Sequence, residues 1–117
     1  MYIPEVKHTY AYLDSDYAIM NEKGLMLGEC TNNGASCEYL APVKGKNLFY
    51  ASELGRVALE RCATAREAVE LMGSLVDEYG FWGTGETLLV ADKNEGWVLE
   101  IQLLSSGYAK ARFYDVI

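Results

Sequence analysis

Residues 17–32 read YAIMNEKGLMLGECTN, and the fold is decided there. Two apolar runs, residues 17–20 and 25–30, flank the turn Asn21-Glu22-Lys23-Gly24. Asn opens such turns because its side chain bonds the backbone two residues on. Glycine closes them because it takes positive φ without steric cost. The segment therefore predicts a β-hairpin. A hairpin with one wet face would alternate polar and apolar residues, whereas both arms here are apolar almost throughout. The expectation is a pair of strands buried on both faces, in the middle of a layered structure.

Upstream, residues 7–13 (KHTYAYL) carry Thr and two Tyr at strand-like spacing and predict a first strand, after a connector in which Pro4 blocks regular pairing. Downstream, residues 31–46 hold Asn32, Asn33, Gly34, Pro42 and Gly45 and predict a long irregular loop. Such loops are often functional, and this one starts where an apolar strand ends, which marks it as a site. Ser52 is expected to cap a helix over 53–62, with Glu53 in its first turn and Leu54, Val57, Ala58 and Cys62 as its buried stripe. Thr64-Ala65-Arg66-Glu67 is a capping box, and Ala68, Val69, Met72, Leu75, Val76 and Tyr79 follow at helical spacing until Gly80. Residues 81–86 (FWGTGE) read as a glycine-rich turn. Residues 87–91 and 97–103 predict a second hairpin, with Trp97, Leu99 and Ile101 on one face and Val98, Glu100 and Gln102 on the other. A last strand is expected over 108–114. Hairpin, helix pair and hairpin together predict an α+β domain, antiparallel sheet with packed helices, spanning residues 1–117 as one unit.

Composition narrows the function. The 117 residues are 50% hydrophobic and 23% charged, ordinary for a globular domain, with nine tyrosines. Net charge is −7, and the ten Lys and Arg are scattered without a basic stripe. Nucleic acid and anionic membrane surfaces are therefore not expected partners. No apolar run reaches the length of a membrane span, and the first residues lack the pattern of a secretory leader. Cys30, Cys37 and Cys62 are odd in number and lack C-x-x-C spacing, so neither a disulfide framework nor a closed zinc site is expected. A reducing, cytoplasmic setting fits this usage.

Few residues offer chemistry. Cys30 or Cys37 could serve as a nucleophile with His8 as base, which requires a lowered thiol pKa and contact with the imidazole. The competing reading is an ordinary buried or loop thiol. His8 has no second histidine with which to hold a metal, and neither metal nor cofactor is expected. Gly80, Gly83 and Gly85 run G-x-x-G-x-G after a helix, the wrong order and context for a dinucleotide fingerprint, and predict a tight turn. Glu29 stands out in an apolar strand, because an unpaired buried carboxylate is costly. It either points into a pocket and holds an amine, or it faces solvent at the strand end or pairs with a nearby Lys or Arg. Glu100 in WVLEI poses the same choice.

Three long segments, TYAYLDSDYAIMNEKGLMLGECT, LFYASELGRVALERCATAREAVELMG and EYGFWGTGETLLVADKNEGWVLEI, resemble the cysteine dipeptidases of peptidase family C69, secernin-related members of the N-terminal-nucleophile hydrolases. The resemblance runs from about His8 to Ile101. It implies a four-layer αββα fold, of which this chain carries part, and hydrolysis of dipeptides or small peptides without metal or cofactor. It also implies a nucleophilic Cys at the mature N-terminus whose own α-amino group, titrating at about 7.7–8.0, serves as base. No residue here matches that nucleophile, so no catalytic residue is assigned. The chain is expected to be an internal piece that is inactive alone, requiring a missing complementary segment or forming a homo-oligomer. The resemblance places a substrate-contacting or oxyanion-stabilising residue at Thr31, with Glu29 and Asn32 beside it. The alternative function is a non-catalytic paralogue that binds peptides or assembles with another subunit.

Overall fold

The computed structural model describes residues 3–32, 47–83, 85–104 and 108–117. Most of the expected loop, including Cys37, lies outside the described residues, as does the expected 105–107 turn. The elements are β1 (Tyr12–Leu13), β2 (Met20–Asn21), β3 (Met26–Thr31), α1 (Ala51–Arg61), α2 (Ala65–Tyr79), β4 (Gly85–Ala91), β5 (Gly96–Leu103) and β6 (Ala109–Asp115). The strands form one antiparallel sheet in chain order, β1 to β6. Both helices lie on one face of it, so the fold is α+β. Among the described residues no helix is long and apolar enough to cross a membrane.

The predicted turn forms as its residues dictate. Gly24 adopts φ 84°, and Asn21 Oδ1 accepts the backbone N–H of Lys23 and Leu25. Asn21 is also buried, and its Nδ2 donates to the carbonyls of Leu59 and Cys62 at 2.9 and 2.8 Å. The hairpin tip thus satisfies carbonyls that the end of α1 leaves open. The second tip does the opposite at α2. Asp92 accepts Ala65 N–H at 2.7 Å, and Glu95 accepts Arg66 N–H at 2.9 Å, so carboxylates meet the helix end with free donors. Because Met26 pairs with Ala91, both tips sit at the same end of the sheet, against the joint between the helices.

The capping box at Thr64 forms as read. Its hydroxyl accepts Glu67 N–H, and the Glu67 carboxylate reaches back to the N–H of Thr64. Helix α1 starts earlier than expected. Tyr50 is its cap and Glu53 accepts Tyr50 N–H at 3.0 Å, which leaves Ser52 inside the first turn. The core lies between helices and sheet: Leu54, Leu59, Val69, Met72 and Val76 pack with Leu88, Val90, Leu99 and Ile101. Each such side chain contributes about 1.5–3 kcal/mol by leaving water.

Two expectations are corrected. Strand 7–13 shortens to β1, because Tyr10 N–H bonds Glu60 O and the segment runs along α1 instead of a neighbouring strand. Burial of the first hairpin is one-sided. Alternation sends Leu27 and Glu29 toward the helices, while Met26, Gly28 and Cys30 face outward and are exposed. Leu89 and Tyr114 share that outer face at 48% and 45% exposure. Apolar residues on both faces of β3 mimicked a doubly covered strand, but the described residues supply a layer on one face only.

Candidate functional site

At the end of β3 the register sets Thr31 opposite Glu86 and Glu29 opposite Leu88. Alternation along each strand directs Glu29, Thr31 and Glu86 to the same, helix-covered face. The two carboxyls are therefore diagonal neighbours, close enough to interact. Glu86 is only 4% exposed. Burial, followed by the hydrogen bond to Glu29 and its charge, pushes the Glu86 carboxyl up to about 8. Glu29 is held below the usual carboxylate range by hydrogen bonds from Glu86 and from Thr31, whose hydroxyl donates to Glu29 Oε1 at 2.6 Å. Two adjacent carboxyls cannot both ionise cheaply, and at neutral pH the pair shares one proton, carried by Glu86. Glu86 Oε1 has no hydrogen-bond partner among the described residues.

Aromatic groups surround the pair. Tyr17 hydrogen-bonds Tyr50, and that bond, then burial and the charges of Glu29 and Glu86, raise its phenol pKa. A pocket of about 190 Å³ opens beside Glu86, lined by Thr31, Tyr50, Phe81, Trp82 and Gly85. The Tyr50 and Trp82 rings sit 5.5 Å apart, tilted by 50°. No Lys, Arg or His lines this pocket among the described residues. A small cleft places Glu29 beside Ala51 and Ser52 in the first turn of α1, where the helix dipole favours negative charge. The arrangement can hold one proton, exchange it for a cation, and cover that cation with aromatic faces.

Of the residues singled out from sequence, the structure brings Glu29 and Thr31 together and sends Asn32 to the opposite face. Asn32 Nδ2 donates to Thr87 Oγ1, and Asn32 Oδ1 accepts from Gln102 Nε2, both at 2.7 Å. Gly85 makes room for this, since a Cβ there would lie 2.6 Å from Asn32 Oδ1. Glu100 lies across from Arg112 and hydrogen-bonds Tyr114, which is the surface reading of that residue. Gly80 and Gly83 adopt positive φ in the turn from α2.

The described cysteines do not form a Cys–His site. Cys62 is buried, and burial, with the charge of Glu67, pushes its thiol up to about 11. Cys30 is exposed on the outer sheet face. His8 stacks edge-on with Tyr10 at 5.6 Å, and no hydrogen bond joins it to either thiol. Among the described residues no three His, Cys, Asp or Glu are grouped to hold a metal.

The family model for peptidase family C69 matches residues 3–108. The chain belongs to peptidase family C69. The matched span exceeds the 8–101 stretch on which the resemblance was read. Glu29, Thr31, Tyr50, Trp82 and Glu86 all fall inside it, so the carboxyl pair and its pocket are part of the C69 domain. Sequence reading missed Glu86 because FWGTGE read as a turn. The signal was present: counting back by two from Val90 through Leu88 reaches Glu86, which places a carboxylate in register with buried residues. Tyr17, Tyr50 and Trp82 carried no comparable mark, because aromatic strand and pocket residues look alike in sequence.

Proposed function

We propose that this C69 chain supplies sheet, helix layer and pocket wall to a cysteine-type dipeptidase with the αββα fold of N-terminal-nucleophile hydrolases. The substrates are dipeptides and small peptides. The chemistry is acyl transfer to water through a thioester, with an N-terminal Cys as attacking group. Glu29 and Thr31 meet the substrate, and Asn32 fixes the strand end from the opposite face through Thr87 and Gln102. The observation carrying this reading is the polar cluster at the end of β3, opening on a pocket of about 190 Å³. Thr31 already donates to Glu29, which suits substrate positioning better than oxyanion stabilisation.

The 117 residues by themselves are proposed to be inactive, because Cys62 is held as a thiol and the exposed Cys30 has no hydrogen-bonded base among the described residues. Incubation with a dipeptide panel tests both halves. The expected result is saturable dipeptide binding, weakened by Glu29→Gln, without turnover. Turnover that survives Cys30→Ala with Cys37→Ala overturns the need for an N-terminal thiol, and absence of any dipeptide binding overturns the pocket. A second reading, a non-catalytic paralogue that assembles with another subunit or with itself, is favoured by the exposed apolar outer face at Leu89 and Tyr114. Size-exclusion with light scattering distinguishes it: a clean monomer speaks against assembly.

A further inference from the structure

A buried carboxyl usually sits beside a base or donors that satisfy it. Glu86 does not. Among the described residues, the charge acting on it is that of another carboxyl, its Oε1 is unpartnered, and the pocket it lines contains no cationic side chain. Among the described residues, the other titratable groups facing it are Glu29 from β3, Tyr17 ahead of β2 and Tyr50 at the cap of α1. None of these brings positive charge. Above the acid stand Tyr50 and Trp82, the latter 50% exposed and so accessible from solvent. An acid floor beneath aromatic walls matches a group with a charged, hydrogen-donating head and an apolar stem.

We infer that Glu86, paired with Glu29 and walled by Tyr50 and Trp82, is a subsite for the alkylammonium group of a peptide. An ammonium brings three donors, enough for Glu86 Oε1 and the Glu29 carboxylate together. Binding displaces the proton that the pair shares, so the proton leaves to solvent as the cation enters. The inference deepens the peptide-hydrolase reading and rests on it for the identity of the ligand, but not for the existence of the subsite. Two sources supply the same chemistry, the α-ammonium of a peptide and the side chain of a lysine within it.

The test uses the full chain and three probes, with Trp fluorescence and calorimetry as readouts. L-alaninamide carries only an α-ammonium, Nα-acetyl-lysinamide only a side-chain ammonium, and N-acetyl-alaninamide neither. At least one ammonium probe is expected to bind tenfold or more tightly than the neutral probe, and which one identifies the source. Glu86→Gln and Trp82→Ala should each weaken that binding several-fold. Trp82 is half exposed, so its variant remains informative if Glu86→Gln fails to fold. Binding of Nα-acetyl-lysinamide should tighten between pH 6 and 8 and release protons, measured as a dependence of heat on buffer ionisation. Equal binding of all three probes, or binding unchanged in Trp82→Ala and in folded Glu86→Gln, overturns the inference. Ammonium binding without hydrolysis leaves the subsite standing while removing activity from this chain. Hydrolysis indifferent to N-acetylation and to lysine does the reverse.

Discussion

Glu86→Gln isolates the energetic signature of the buried carboxyl. A free Glu titrates near 4.5 and Glu86 in the folded chain at about 8, so folding raises this pKa. Between the two values the folded chain keeps a proton that the unfolded chain has released. Stability from this group is therefore complete below pH 4.5, falls as pH rises, and is lost beyond about 8. The slope inside the window approaches about 1.4 kcal/mol per pH unit. Glu29 shifts the other way, and its contribution is lost only as pH falls through its depressed folded value, outside this window. Gln preserves the shape of the neutral acid and removes the titration. Urea unfolding at pH 5.5 and 7.0 should show wild type losing about 2 kcal/mol more than the variant over that interval. The acidic chain has other reasons to weaken at high pH, and these cancel in the difference. Parallel pH profiles for the two proteins would falsify the assignment of the shared proton to Glu86.

Three further perturbations address the scaffold and the thiols. Asn21→Ala strands the Leu59 and Cys62 carbonyls and the turn amides, and should cost about 3 kcal/mol in chemical denaturation; a loss below about 1 kcal/mol would remove Asn21 from its anchoring role. Gly85→Ala drives a Cβ toward Asn32 and should destabilise by about 1–3 kcal/mol in thermal unfolding, with Asn32→Ala relieving part of the cost if the clash is the cause. In a Cys37→Ala background, Ellman's reagent should label Cys30 rapidly and Cys62 only on unfolding, and equal rates for the two would contradict the burial of Cys62.

The parts of the fold governed by neighbouring residues were open to reading from sequence. The Thr64 box, the stripe from Ala68 to Tyr79 and the two hairpin turns depend on contacts within a few positions, and all formed. The parts governed by distant partners were not. Ser52 lost its capping role to Tyr50 because Glu53 reached one turn back. Residues 7–13 have strand-like composition, yet the backbone of Tyr10 found α1 instead. Whether Met26 and Cys30 meet protein or water depends on which layers cover the sheet, and composition cannot distinguish those cases. At the site, Glu29 was conspicuous but its partner was not, since pairing Glu29 with Glu86 requires a register between strands separated by both helices.

The two hairpin tips, one giving hydrogen atoms to the finish of α1 and the other receiving them from the start of α2, grip the elbow between the helices from a single edge of the sheet. The chain is thereby riveted at one end, while Glu29, Thr31 and Glu86 occupy the other. Breathing motions of such a body are largest far from the rivet. Amide exchange should accordingly be slowest around Leu59, Cys62 and Ala65 and quicken toward Thr31 and Gly85, giving the acid pocket a compliant lip on an otherwise stiff frame.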